Sequence, residues 1–219
     1  MKNLKSIIIV LSAGVIPIAL LFLGLRLLLS AGFLSIEYRM PGFPQDLYGF
    51  TQDERLQYSN IALEYLLNES DMDFLTNQTF PDGTILFNGR EASHMLDVKK
   101  VVKPSLTVGY LSWFLFALLA LISIAANQIP NFLQGIRYGT WILLGIIGVI
   151  GIFAVISFWN FFSFFHTLFF EGESWIFSYN DTLIRLFPLR FWQDAFLIEG
   201  LITIGGSLSI LKLIKPKRD

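Results

Sequence analysis

LTVGYLSWFLFALLALISIAA, residues 106–126, runs for 21 residues without a single charge. A helix rises ~1.5 Å per residue, so about 20 such residues cross the ~30 Å hydrocarbon core of a bilayer. Three further runs match it. Residues 6–34 are interrupted only by Arg26, residues 138–165 carry no charge, and residues 195–214 carry Glu199 within the run and Lys212 near its close. The chain has 219 residues, is 54% hydrophobic and holds 22 phenylalanines. A soluble domain does not combine that composition with four runs of this length. The expected fold is a membrane all-α four-helix transmembrane bundle with a small mixed α/β extracytoplasmic cap.

The basic residues orient it. Lys2 and Lys5 precede the first span, Arg137 lies between the second and third, and Lys212, Lys215, Lys217 and Arg218 close the fourth. Basic residues near span ends stay cytoplasmic, which puts both termini inside and segments 35–105 and 166–194 outside. Segment 35–105 carries eleven acidic against six basic residues, a net −5, as suits a translocated cap. The first run exceeds the usual core of a cleaved signal, so it reads as a retained anchor. Cysteine is absent, which excludes disulfides, thiolate nucleophiles and thiolate metal sites.

Within the cap, Thr51 followed by Glu54 forms a capping-box pattern, and Leu56, Ile61, Leu63 and Leu66 follow at near-helical spacing. A helix over 52–67 is expected. Thr84 to Phe87 lies between two turn dipeptides, Asp82-Gly83 and Asn88-Gly89, and reads as a short strand. From Ser93 a second helix should lead into the span at 106, with a break or bend near Pro104. Segment 166–194 mixes aromatic and aliphatic residues with isolated charges, as interfacial segments do.

Two histidines are the chain's only imidazoles, and topology puts both at the outer surface: His94 before the second span and His166 at the end of the third. An imidazole can take up and return a proton near neutral pH. Each ring alone is as well explained by a structural role. A metal site would need a third ligand such as Asp97, Glu171 or Glu173. Ser93, Ser163 and Ser174 lie near the histidines in sequence, but no nucleophile elbow is present. Asp97 follows His94 by three residues on one helical face and is a candidate to orient its ring; a first-turn aspartate favoured by the helix dipole is the plain alternative. Arg185 offers a fork of donors for an oxyanion or a lipid phosphate, or else anchors the segment or pairs with Asp181. Arg26 and Glu199, inside the spans, read as a structural pair.

Three blocks carry a resemblance: YRMPGFPQDLYGFTQDERLQYSNIALEYL (38–66), REASHMLDVKKV (90–101) and FHTLFFEGESWIFSYNDTLIRLFPLRFW (165–192). In this order, with four spans, they resemble the bacterial lipoprotein intramolecular transacylases, integral membrane acyltransferases. The resemblance implies substrates that are diacylglyceryl-cysteine lipoproteins held among membrane lipids of the bacterial cell membrane. It implies transfer of one acyl chain from the sn-2 glyceryl oxygen to the cysteine α-amine, giving the lyso-form lipoprotein. The family's two essential histidines match His94 and His166. No cofactor, metal or nucleic acid is expected.

An ester-to-amide shift asks for a base on the ammonium, a donor for the oxyanion and an acid for the departing alkoxide. Two histidines, with Arg185 or backbone N–H groups as donor, meet those needs. An acyl-imidazole is the rival route, because direct attack closes an eight-membered ring. A non-enzymatic lipid-binding or accessory protein is the competing function class. A transporter would want more ionisable residues inside the spans than Arg26 and Glu199.

Overall fold

The computed structural model describes residues 2–172 and 174–214. Lys215, Lys217 and Arg218, part of the orienting basic cluster, lie outside the described residues, as does Glu173. Among the described residues the elements are α1 (Lys2–Leu28), α2 (Ala31–Glu37), α3 (Gln52–Leu67), α4 (Asp73–Thr76), α5 (Gly89–Ala125), α6 (Ile129–Ile156), α7 (Phe158–Phe169), α8 (Thr182–Leu186) and α9 (Leu189–Leu213). Helices α1, α5, α6 and α9 are long and apolar enough to cross a membrane. They turn large apolar residues such as Val10, Phe114, Leu121, Val149 and Leu201 outward, which water would penalise and lipid accepts.

The chain divides into two compact units. The first comprises residues 1–26, 105–156 and 198–219. Its buried core joins Ile8, Ile16 and Leu20 of α1 to Leu119 of α5 and to Phe132, Ile136 and Leu143 of α6. Helices α1 and α6 approach closely because α6 presents glycine: a Cβ on Gly135 would lie 2.5 Å from the Ile9 carbonyl oxygen, and one on Gly139 would collide with the Ala13 carbonyl. Small residues four apart allow such backbone contact in lipid, where van der Waals packing replaces the hydrophobic drive.

The second unit comprises residues 27–104 and 157–197. Its core gathers Tyr58, Ala62 and Tyr65 of α3, Leu75 of α4, Leu86 and Phe87, Ala92 and Met95 of α5, and Leu183 and Leu186 of α8. Helix α3 begins as the capping box requires: Glu54 N–H donates to Thr51 Oγ1 (3.2 Å), and Thr51 N–H donates to Glu54 Oε2 (2.8 Å). Its far end is held by Lys99, whose buried ammonium donates to Asn68 Oδ1 (3.0 Å) and the Ser70 carbonyl (2.6 Å).

The expected mixed α/β cap is corrected here: the described residues contain no strand. Thr79 and Ile85 form one isolated antiparallel bridge around a turn in which Gly83 adopts φ 84°. Pairing ends there because Leu86 and Phe87 turn inward to complete the core, at 1% and 0% exposure, and Asn88 at once caps α5. Two apolar runs also prove to be divided. Run 6–34 stops as a helix at Leu28, because Ser30 adopts extended backbone and its Oγ accepts from Phe33 N–H to start α2. Run 138–165 breaks at Ser157, which caps α7 in the same way through Asn160 N–H. Apolar length signals insertion, whereas a serine cap decides where a helix restarts. Helix α5, by contrast, continues through Pro104.

Candidate active site

Asn88 sets the start of α5. Its Oδ1 accepts from the N–H groups of Arg90 and Glu91, both at 3.0 Å, while Glu91 Oε2 accepts from Asn88 N–H at 2.8 Å. The other Glu91 oxygen accepts from Leu183 N–H at 2.7 Å, so this 1%-exposed carboxylate ties the start of α8 to the start of α5. Burial pushes the Glu91 carboxyl above its usual range, and these two N–H donors oppose that. Asp181 adds a second tie: it accepts from Asn88 Nδ2 (3.1 Å), from Arg90 Nη2 (2.8 Å) and from Ser178 N–H (2.8 Å). Between them the two carboxylates fix residues 178–183 against the first turn of α5. His94 stands one turn after Glu91.

His166 lies in the last turn of α7, a helix that begins at the Ser157 cap. The ring centres of His94 and His166 are 6.3 Å apart and their planes are 19° from parallel. At that spacing one reacting group can come within about 3 Å of a nitrogen on each ring. Aromatic side chains wall the pair. Phe170 and Phe177 meet His94 edge-on at 5.0 and 5.3 Å, and Phe162 and Trp175 lie 4.1 and 4.6 Å from His166. Each imidazole is 8% exposed.

The two rings differ in their bonding. His166 Nδ1 is 2.7 Å from the Phe162 carbonyl. A carbonyl only accepts, so His166 carries a proton on Nδ1 and, when neutral, a lone pair on Nε2. His94 Nδ1 is buried without a partner. Burial lowers the pKa of both rings. His94 falls to about 4, with the charge on His166 a second cause and Asp97 a weaker opposing one. His166 is lowered by burial, and its bond to Phe162 opposes the shift. Burial therefore favours the neutral form of both imidazoles.

The other expected site residues lie elsewhere. Asp97 pairs with Lys100 at 3.0 Å, and its side chain is 39% exposed. Arg185 donates through Nη2 to Asp46 Oδ2 at 2.9 Å, stacks over the Phe50 ring and reaches the Tyr48 carbonyl. Asp46 also lies 4.0 Å from Arg55, which donates to the carbonyls of Arg185 and Pro44. Arg185 thus joins α8 to the 44–50 loop. Glu199 accepts from Thr203 Oγ1 (3.3 Å) and lies against Gly24. Among the described residues no group of three or more His, Cys, Asp or Glu side chains is placed to hold a metal. Sequence reading overlooked Glu91, although Asn88 followed three residues later by Glu is itself a capping pattern. Nothing in sequence marks Asp46 or Trp175.

Residues 10–192 match the model of the family described as lipoprotein intramolecular transacylase, Lit. An uncharacterised protein of Aquifex aeolicus is 29% identical over 216 residues, which cover 96% of this chain and 93% of that one. The structure of the membrane integral lipoprotein intramolecular transacylase Lit from Bacillus cereus superposes with a TM-score of 0.80 at 20% identity, covering 97% of this chain and 95% of that one. A second structure of that protein, with one histidine replaced by arginine, gives 0.71 at 19% identity, covering 97% and 91%. Four apolar helices, two histidines brought together and a family match over most of the sequence lead to one assignment: the chain belongs to the lipoprotein intramolecular transacylase family.

Proposed function

We propose that this chain transfers an acyl group from the sn-2 glyceryl ester of an N-terminal diacylglyceryl-cysteine to the α-amine of the same cysteine, with His94 and His166 as the proton carriers. The juxtaposition of the two buried rings carries this reading, and the family membership supports it. The amine, once neutral, attacks the ester carbonyl carbon and a C–N bond forms. His166 Nε2 takes one of the two protons on the attacking nitrogen, the other staying as the amide N–H, and the Phe162 carbonyl on Nδ1 steadies the resulting imidazolium. The tetrahedral intermediate then collapses, the C–O bond to the glycerol breaks, and the alkoxide is protonated.

His94 delivers that proton. With a pKa near 4 it is a poor base and, once protonated, a strong acid, and the charge on His166 discourages a second proton on the pair. The pair holds one proton at a time: the imidazolium of His166 passes the proton taken from the amine to His94, and His94 hands it to the glyceryl oxygen. The amide product is more stable than the ester, so no energy source is needed. Donor and acceptor belong to one molecule, and holding them together supplies an effective-molarity advantage worth up to ~7–11 kcal/mol. The aromatic wall excludes water, which would otherwise hydrolyse the ester.

The site works at the outer leaflet, where a lipoprotein keeps its acyl chains in lipid and its peptide in water. Arg137, near the start of α6 and so close to the 126–128 connection, and Lys212, in the last turn of α9, support a cytoplasmic position for that connection and for both termini.

The test is mass spectrometry of a reporter lipoprotein's N-terminal lipopeptide from a host that lacks N-acylation. The N-acyl, S-monoacylglyceryl form should appear with the wild-type chain and vanish with His94→Ala or His166→Ala, each variant still inserted. An unchanged diacylglyceryl peptide beside well-expressed wild-type protein overturns the reading and favours a lipid-binding or accessory role.

A further inference from the structure

The two histidines account for the protons of this reaction but not for its oxyanion. The carbonyl oxygen gains a full negative charge when the amine adds, and an apolar wall offers it nothing unless a donor faces it. Arg185, the expected donor, is committed to Asp46 and the Tyr48 carbonyl. Trp175 is different. Its ring centre lies 4.6 Å from that of His166 and 6.2 Å from that of Phe162, and its Nε1 is buried without an acceptor. An indole N–H can only donate, and buried indoles ordinarily find a partner. Here the orphan donor and the unpartnered Nδ1 of His94 belong to the two rings whose centres lie 4.6 and 6.3 Å from that of His166. Unsatisfied buried polar groups are costly and are retained where a ligand completes them.

We infer that Trp175 Nε1–H is a catalytic hydrogen-bond donor to the acyl carbonyl oxygen, tightening as that oxygen becomes the oxyanion of the tetrahedral intermediate. The inference rests on the transacylase reading above. In the addition step the amine nitrogen forms its bond to the carbonyl carbon, the C=O π electrons move onto oxygen, and the amine proton passes to His166 Nε2. Trp175 keeps its own proton and shares it with the oxyanion. When the C–O bond to glycerol breaks, the π bond re-forms, the alkoxide receives its proton from the histidine pair, and Trp175 returns to a weaker bond with the amide carbonyl. A neutral donor suits this place because it leaves the histidines free to hold a proton. A cation there would disfavour it.

The experiment compares wild-type protein, Trp175→Phe and a form in which Trp175 is replaced by 3-benzothienylalanine, which exchanges only the ring N–H for sulfur. Purified protein in detergent is mixed with a synthetic diacylglyceryl-cysteinyl peptide, and single-turnover rate and KM are read by mass spectrometry. Loss of one oxyanion donor costs about 10²–10³-fold in kcat. Both variants should lose at least about tenfold in turnover rate, with KM within about twofold of wild type. A turnover rate within about twofold of wild type in the benzothienyl form overturns the inference, and this near-isostere decides the matter if Trp175→Phe misfolds. A fall in apparent affinity with turnover unchanged also overturns it, because it marks Trp175 as wall alone. Product absent even from wild type overturns the transacylase reading itself, and the donor role with it. That failure is distinct from active wild type beside active variants.

Discussion

Glu91 is the residue whose loss should be felt furthest from where it sits. Its carboxylate accepts Leu183 N–H at 2.7 Å and Asn88 N–H at 2.8 Å while only 1% exposed. In Glu91→Ala the Leu183 N–H, itself buried, has no acceptor and no water. Each hydrogen bond to a charged group contributes about 1.5–3 kcal/mol, so removing both costs roughly 3–6 kcal/mol. Much of that falls on the local opening of residues 178–186, which carry few other polar ties to α5 besides Asp181. If about 3 kcal/mol is lost from that opening, its population rises about a hundredfold, at tenfold per 1.4 kcal/mol. Amide hydrogen exchange of the detergent-solubilised protein reads this directly. Peptides covering 178–186 and 88–92 should exchange about a hundredfold faster, while those from α6 stay unchanged. Turnover should fall too, because Phe170 and Phe177, which cover His94, lead into the segment that Glu91 anchors. Unchanged exchange at Leu183 would refute the assignment of Glu91 as the clamp.

Other consequences follow from the same contacts. His94 has a folded pKa of about 4 against 6.5 for the free side chain, so the unfolded state binds more protons between those values. Stability is therefore full above about pH 6.5 and declines as pH falls toward 4, by up to roughly 3 kcal/mol; thermal midpoints across this range should drop in wild type and drop less in His94→Gln. Arg185→Met leaves Asp46, whose side chain is 3% exposed, without its main cation, which should cost about 3–5 kcal/mol in chemical unfolding. Arg185→Lys should recover only part, since a point charge cannot reproduce the fork. Gly139→Val drives a side chain into the Ala13 carbonyl and should lower stability by about 1–3 kcal/mol or block insertion, whereas Gly145→Ala, which meets nothing within 4 Å, should be silent in the same assay.

How much of this was legible beforehand depends on the range of the physics. Helix α3 was, from Thr51 and Glu54, because a capping box is completed within four residues. The spanning helices were as well, since insertion depends on accumulated apolar length. The strand expected at 84–87 was not realised: its alternation was too short to outweigh the gain from burying Leu86 and Phe87 in a helical core. The helix restarts at Ser30 and Ser157 were present as residues but masked by uniformly apolar surroundings.

The site divides in the same way. His94 and His166 could be named from sequence because they are the only imidazoles and stand at the ends of predicted spans. Their 6.3 Å approach and the depressed pKa of each ring belong to the tertiary structure, for burial is set by distant segments, whereas the tautomer of His166 is set within α7 by the Phe162 carbonyl four residues earlier. Asp97 and Arg185 show the reverse. Proximity in sequence and chemical aptitude recommended them, and Lys100 and Asp46 claimed them. By itself the sequence determined a chain with several helices apolar enough to cross a membrane and two imidazoles at their ends, because apolar length and residue type are local properties. Only the tertiary structure decided which groups are free to react, because a side chain's availability depends on the partner that reaches it first.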